Sequence, residues 1–249
     1  NKIFQIIEYY EDQIKQTFSN ITIFNTFQSN KKLLLFLFKK RIIVIDNIIS
    51  NELLSKNEFN GNDYCHFFYP EIKKFIDKEN IKSIEKELLE IDSNIFDHFD
   101  EKREEGENDT FICSLIRKDS VEEFISYVNR ANISLNSEIN HSIFETNSFL
   151  IENKNISLIE YASFFGSIQI LQYLNMNKIE LKSSLWLYAI HSRNAELFHL
   201  LEENKADPLD FNSDDSKFNH FLKCFCESVK CHHNEFASYI EDNFLIQNK

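Results

Sequence analysis

The spacing of apolar residues is helical along most of the chain and is clearest between residues 157 and 174. This stretch, SLIEYASFFGSIQILQYL, predicts one helix, a turn and a second helix. The pattern returns 27 residues later as SLWLYAIHSRNAELFHLL, at residues 184–201. A single pair of helices cannot bury its own apolar face, so a copy at a fixed period predicts hairpins that stack on one another.

Equivalent positions of the two copies carry residue types that suit a helical hairpin. A serine at the start can cap the first helix, and an alanine in its middle allows a neighbouring helix to approach closely. A glycine four residues later can adopt the positive φ that ends this helix. We call the position of this alanine the alanine slot and the position of this glycine the turn slot. The equivalent pairs are Ser157 and Ser184, Ala162 and Ala189, Gly166 and Arg193, Ile170 and Leu197, and Leu174 and Leu201.

The residues that follow the second helix of each copy resemble those of a known repeat family. The second copy continues to Lys-Ala-Asp-Pro at 205–208, and the first to NKIEL at 177–181. With the alanine and turn slots, these residues resemble ankyrin repeats, of the divergent kind found in some large protist families. The period of 27 departs from the 33 of that family. Only Lys182 and Ser183 separate the copies, so this connection is expected to lack the usual projecting hairpin.

The resemblance implies a non-catalytic module that binds a protein partner, as an adaptor or scaffold. In ankyrin repeats the binding surface lies on the first helices and the connections. Carried over by position, the solvent-facing candidates for partner binding are Phe164, Phe165, Lys182, His191 and Ser192. At least one of the two phenylalanines is expected to pack against a neighbouring hairpin instead.

Weaker copies flank the clear pair and define an array at 110–249. In the first copy, Ile116 takes the alanine slot and Ser120 the turn slot; in the last, Ser228 and His232 take them. Residues 129–156 are expected to form an insertion. The expected fold is an all-α, ankyrin-type solenoid with hairpins at about 110–135, 157–181, 184–208 and 218–242.

The part before the array is expected to be a helical region, 1–97, made of degenerate repeats or acting as a cap. Helical spacing runs through the first 18 residues, Pro70 suits the start of a helix PEIKKFIDK, and a further helix ends near Ile91. Residues 98–109, nearly all charged or polar, are expected to form an acidic linker.

The composition favours helices and limits the class of partner that the protein could bind. The 249 residues include 25 phenylalanines but only 3 glycines and 2 prolines. A net charge of −13 disfavours nucleic acid, which requires a basic surface. Five irregularly spaced cysteines favour free thiols and a cytoplasmic location. We expect a monomer. We also expect no cofactor, because no phosphate loop, HExxH motif or catalytic triad occurs.

Two alternatives come from other stretches of the chain. The apolar run within 31–50 could contact a membrane, although charges at 39–41 interrupt it and a buried helix pair is the stronger prediction. The soft ligands at 220–233 could make the protein a small metalloprotein or enzyme, although their spacing departs from common zinc patterns. These ligands are His220, Cys224, Cys226, Cys231, His232 and His233.

Overall fold

The fold is described from a computed structural model, in which we describe residues 2–55, 63–153, 155–204, 206 and 214–246. Within these ranges all regular structure is helical, and the only β pairing is an isolated bridge between Glu138 and Ser157. The all-α prediction is therefore confirmed. In chain order the helices are α1 (Lys2–Tyr9), α2 (Glu11–Thr17), α3 (Asn20–Phe27), α4 (Lys31–Lys39), α5 (Asn47–Leu54), α6 (Asp63–Phe67), α7 (Tyr69–Ile72), α8 (Lys78–Ile91), α9 (Phe99–Glu105), α10 (Phe111–Arg117), α11 (Val121–Arg130), α12 (Ser148–Glu152), α13 (Leu158–Phe165), α14 (Ile168–Met176), α15 (Leu185–Ser192), α16 (Ala195–Glu203), α17 (Asp214–Lys230) and α18 (Asn234–Ile240), followed by one π-helical turn (Glu241–Leu245).

The chain folds into two compact units that are not continuous in sequence. The N-terminal unit comprises Asn1–Asp109 and His141–Lys154, and the hairpin unit comprises Thr110–Asn140 and Asn155–Lys249. The first division between them lies at Asp109 and Thr110, at the end of the segment expected to be a linker. Part of the expected insertion in the array, however, belongs to the N-terminal unit.

The apolar run at 31–50 lies in the core of the N-terminal unit. It forms α4 and α5, and its leucines and isoleucines are largely buried. No helix in the described ranges is long and apolar enough to cross a membrane. The interpretation of this run as a buried helix pair is therefore the one that the structure supports. The buried members are Leu33, Leu34, Leu35, Leu37, Ile42, Ile43, Ile45 and Ile49.

Two helix boundaries in the N-terminal unit differ from the sequence prediction. The continuous helix expected over the first 18 residues is divided at Tyr10 into α1 and α2. The helix begun near Pro70 ends at Ile72, and α8 starts only after Asp77. The Asp77 carboxylate accepts hydrogen bonds from two backbone N–H groups at 2.9 Å, and this cap begins the new helix.

The acidic linker expected at 98–109 is wrong, because most of it is α9. The cause is Arg103, whose side chain is 1% exposed and donates to both carboxylate oxygens of Glu71 at 2.6 Å. It also donates to the carbonyl of Phe67 at 2.9 Å, and its guanidinium lies over the rings of Phe67 and Phe99. The buried guanidinium of Arg103 thus holds α9, a strongly charged helix, against the core.

A second buried cation joins the returning segment of chain to α4. Lys31 is 1% exposed, and its ammonium group donates to the carbonyls of Ile143 and Glu145 at 3.2 and 3.3 Å. It also lies over the rings of Tyr64 and Phe67. These contacts lie entirely within the N-terminal unit.

The hairpin unit contains four helical hairpins: α10–α11, α13–α14, α15–α16 and α17–α18. Their first helices pack against one another in chain order, α10 on α13, α13 on α15 and α15 on α17. Each hairpin turns at a single residue with positive φ. These residues are Asp119 (50°), Gly166 (68°), Arg193 (55°) and His232 (56°).

The first hairpin is shifted by one residue from its predicted alignment. Asp119, not Ser120, has the positive φ of the turn slot. Leu115 therefore occupies the alanine slot instead of Ile116, and the N–H of Ser120 donates to its carbonyl at 3.1 Å. The N–H of Ser167 makes the same bond to Ala162 at 2.9 Å in the next hairpin.

The residue after each turn slot connects its hairpin to the preceding one. Ser167 Oγ donates to the carbonyl of Ile116 at 2.6 Å, and Asn194 Nδ2 donates to the carbonyl of Gly166 at 3.2 Å. His233 Nδ1 donates to the carbonyl of Ile190 at 2.7 Å. Each junction between hairpins thus has a side-chain hydrogen bond whose donor is the residue directly after the turn slot.

The two predicted serine caps have different outcomes. Ser157 and Glu160 form a capping box, in which the Ser157 hydroxyl accepts from the Glu160 N–H and the Glu160 carboxylate accepts from the Ser157 N–H. The prediction for Ser184 is wrong: its backbone is already helical, and its hydroxyl donates to Glu160 Oε1 at 3.2 Å. The second serine therefore links two hairpins instead of capping its own helix.

The turn slot allows a test by two opposite substitutions. A Cβ atom on Gly166 would lie 3.1 Å from Ser192 Cβ and 3.2 Å from Asn194 Cβ, and φ is +68°. We expect Gly166→Ala to reduce the free energy of unfolding by ~1–2 kcal/mol, because a left-handed backbone is unfavourable for alanine. Urea denaturation followed by circular dichroism measures this change.

The control for this prediction is Arg193→Gly, which places glycine at the equivalent turn. It removes the strain of φ +55° but also the contact from Arg193 Nε to His233 Nε2. We expect a free energy of unfolding within ~1 kcal/mol of the wild type. A larger loss from Arg193→Gly than from Gly166→Ala would contradict the equivalence of the two turns.

Candidate functional site

Four of the five expected partner-binding residues lie where the first helices of the hairpins end, and the fifth, Lys182, lies in the connection before α15. Phe164 is 7% exposed, and its ring stacks on the imidazole of His191 at 4.7 Å. Phe164 therefore packs between adjacent hairpins, as expected for at least one of the two phenylalanines. The prediction that His191 faces solvent is wrong, because its side chain is only 11% exposed.

The other three expected residues keep more contact with solvent. Phe165 is half-buried beside the ring of Tyr161, and the Arg117 guanidinium lies over its face at 5.9 Å. Ser192 is half-buried and donates to the carbonyl of Ala189 at 2.7 Å. Lys182, in the short connection, is exposed.

Side chains from consecutive hairpins meet in a row at these helix ends. Arg117 of the first hairpin donates to the Tyr161 hydroxyl of the second at 2.9 Å. Phe164 of the second contacts His191 of the third. His191 Nδ1 in turn lies 3.6 Å from the Cys231 sulfur of the fourth. We call these residues the end row.

The end row finishes at a cluster of three ionisable side chains. His191 Nε2 lies 3.3 Å from Oε1 of Glu227, and the Cys231 sulfur lies 3.9 Å from the same oxygen. The other oxygen of Glu227 accepts from Lys230 Nζ at 3.2 Å. In the described ranges, this is the one set of three such side chains whose ligand atoms all lie within 4.8 Å of one another.

Burial keeps the histidine and the cysteine of this cluster uncharged near neutral pH. It lowers the pKa of His191 to about 4, although Glu227 acts in the opposite direction. Burial and then the Glu227 carboxylate raise the pKa of the Cys231 thiol. The thiolate, and not the neutral thiol, is the nucleophilic form of cysteine.

The soft ligands at 220–233, considered together only as an alternative, have different surroundings in the fold. Cys224 is buried 3.7 Å from His220 Nε2, and burial raises the pKa of its thiol to about 12. Cys226 and His232 are exposed. Both ring nitrogens of His233 are occupied, since Nδ1 donates to a carbonyl and Nε2 accepts from Arg193.

The sequence interpretation missed Glu227 and placed His191 in a different role. Glu227 precedes Cys231 by four residues, the spacing of one helical turn, which was a usable signal. His191 is 36 residues before Glu227, and only the packing of α15 on α17 brings the two together.

No family model, curated protein or solved structure matches the chain.

Proposed function

We propose that the hairpin unit is an ankyrin-like repeat solenoid that binds a protein partner and catalyses no reaction. The observation that carries this proposal is the recurrence of one hairpin with the same left-handed turn, followed by a side chain that donates a hydrogen bond to the preceding hairpin. Such arrays present extended surfaces that suit macromolecular partners.

Charge narrows the class of partner. The net charge of −13 favours a protein with a neutral or basic surface over nucleic acid. The five cysteines, all in the described part of the chain, form no disulfide, which fits a reducing compartment. We therefore propose an adaptor or scaffold that acts as a monomer in the cytoplasm.

The structure changes which variants test this proposal. His191 is packed in the cluster and the Ser192 hydroxyl is hydrogen-bonded, so charges at these positions would disturb the fold. Lys182 and Phe165 retain solvent contact and are the better choice. We expect the double variant Lys182→Glu, Phe165→Ala to capture at least about tenfold less partner, a loss of ~1.4 kcal/mol of binding free energy.

Capture is measured by quantitative mass spectrometry on the immobilised full chain after incubation with lysate of the source cells. The matched control is Gln172→Glu, Met176→Ala, two exposed residues on the second helix α14. Its capture should equal that of the wild type. Equal losses in both variants, or no protein enriched by the wild type, would contradict a first-helix binding surface.

A further inference from the structure

Three ionisable side chains on or next to the packed helices α15 and α17 meet where the end row reaches the fourth hairpin. His191 is on α15, Glu227 is on α17, and Cys231 directly follows α17. We propose that these three residues bind one divalent cation of the zinc type, through an imidazole nitrogen, a carboxylate oxygen and a thiolate. This site goes beyond partner binding and does not depend on it.

The distances suit a tetrahedral metal site. Zinc bonds to nitrogen, oxygen and sulfur at about 2.0–2.3 Å, which places two ligand atoms of a tetrahedron roughly 3.3–3.8 Å apart. Oε1 of Glu227 lies 3.3 Å from Nε2 of His191 and 3.9 Å from the Cys231 sulfur. The sulfur lies nearest to the other ring nitrogen, Nδ1, at 3.6 Å, but one ligand atom from each of the three residues lies within 4.8 Å of the other two. Rotation of the imidazole and the thiol would bring these three atoms to tetrahedral spacing.

Neighbouring residues already orient two of the three ligands. The ring of Phe164 stacks on His191 with an angle of 23° between the ring planes, which limits rotation of the imidazole. Lys230 occupies the second oxygen of Glu227 and leaves Oε1 directed at the other ligands. Such supporting contacts are typical of metal sites, where they fix the position of each ligand.

The ligand types indicate which cation fits. A thiolate and a carboxylate balance the two charges of the metal, so the half-buried site becomes neutral when the thiol proton leaves. Sulfur and nitrogen ligands favour zinc over magnesium or calcium, which prefer oxygen. His233 is not a fourth ligand, because both of its nitrogens are already hydrogen-bonded.

The test uses Co²⁺ as a spectroscopic probe for zinc in the metal-free full chain. Near neutral pH we expect one Co²⁺ per chain, a thiolate-to-cobalt charge-transfer band, and loss of this band when Zn²⁺ is added. Cys231→Ser should abolish the band. His191→Gln and Glu227→Gln should each raise the Kd for Co²⁺ at least about tenfold, since each removes one of three ligands.

Two matched controls distinguish this site from adventitious binding. Cys226→Ser changes an exposed cysteine of α17, and His199→Gln changes an exposed histidine of α16. Both should leave the band and the Kd unchanged. The proposal is overturned if the wild type binds no Co²⁺ at a ratio of one, if the band survives Cys231→Ser, or if it is lost with Cys226→Ser.

The effect of zinc on the Tm of the wild type tests the site even if some of the variants do not fold. Zinc bound to the native state should raise the Tm of the wild type progressively as its concentration exceeds the Kd. The Tm of a folded His191→Gln or Glu227→Gln variant should respond less. A wild-type Tm that does not change with Zn²⁺ would show that the three side chains form only a hydrogen-bonded cluster.

Discussion

Replacement of Trp186 by alanine is expected to reduce the free energy of unfolding by ~3–5 kcal/mol, the usual range for a buried tryptophan. Its side chain is fully buried, and its indole contacts the rings of Phe198, Phe221 and Phe244 at 5.4–5.6 Å between ring centroids. Its Nε1–H also donates to the carbonyl of Ala206 at 3.0 Å. The substitution would leave both a cavity and an unsatisfied carbonyl.

Urea denaturation followed by far-UV circular dichroism is the appropriate measurement, because this is the single tryptophan of the chain. Trp186→Phe serves as the control. It retains an aromatic ring but loses the hydrogen bond, so we expect a loss of ~1–2 kcal/mol. If the alanine variant were no less stable than the phenylalanine variant, the aromatic cluster would not hold the last two hairpins together as described.

Arg103→Ala is expected to reduce the free energy of unfolding by ~3–5 kcal/mol, because removal of one partner from a buried ion pair leaves the other uncompensated. The Glu71 carboxylate would lose both of its short bonds to the guanidinium, and the Phe67 carbonyl would lose a third. The rings of Phe67 and Phe99 would also lose the cation that lies over them.

A neighbouring residue of the same helix provides the matched control. Glu104 is exposed and forms an ion pair with Lys39 at the surface. Glu104→Ala should change the free energy of unfolding by less than ~1 kcal/mol, since exposed ion pairs contribute little. Similar effects of the two substitutions in the same urea titration would show that Arg103 is not a structural anchor.

Helix positions and burial in the repeats were predictable because they follow from local patterns. Ala162 and Ala189 are fully buried, as the alanine slot predicted, and Gly166 has the expected positive φ. These features depend on helical spacing and on backbone conformation, which neighbouring residues determine.

The errors occurred where local sequence and tertiary structure disagree. Asp119 adopts a left-handed turn without being glycine, so the first hairpin was aligned one residue late. The carboxylate of Asp119 also accepts from the N–H groups of Gln169 and Ile170 at 3.0 Å, a contact with the next hairpin that explains its place in the turn. Nothing in a single sequence shows such a partner 50 residues away.

The candidate cluster could be predicted only in part for the same reason. Glu227 and Cys231 are one helical turn apart and could have been paired from the sequence alone. Their contact with His191 requires α15 and α17 to be neighbours. The charged segment at α9 was misread because its composition resembles a linker, whereas one buried arginine determines its position.

The divided N-terminal unit has a consequence for biosynthesis. Lys31 leaves the ribosome early, but the carbonyl groups of Ile143 and Glu145, which accept its hydrogen bonds, are synthesised more than a hundred residues later. The N-terminal unit therefore cannot be completed during translation until the first hairpin has already been made. The N-terminal unit is complete once Lys154 has been synthesised, when one hairpin has been made and three have not, and a nascent chain released near Asp109 would carry an unfinished core.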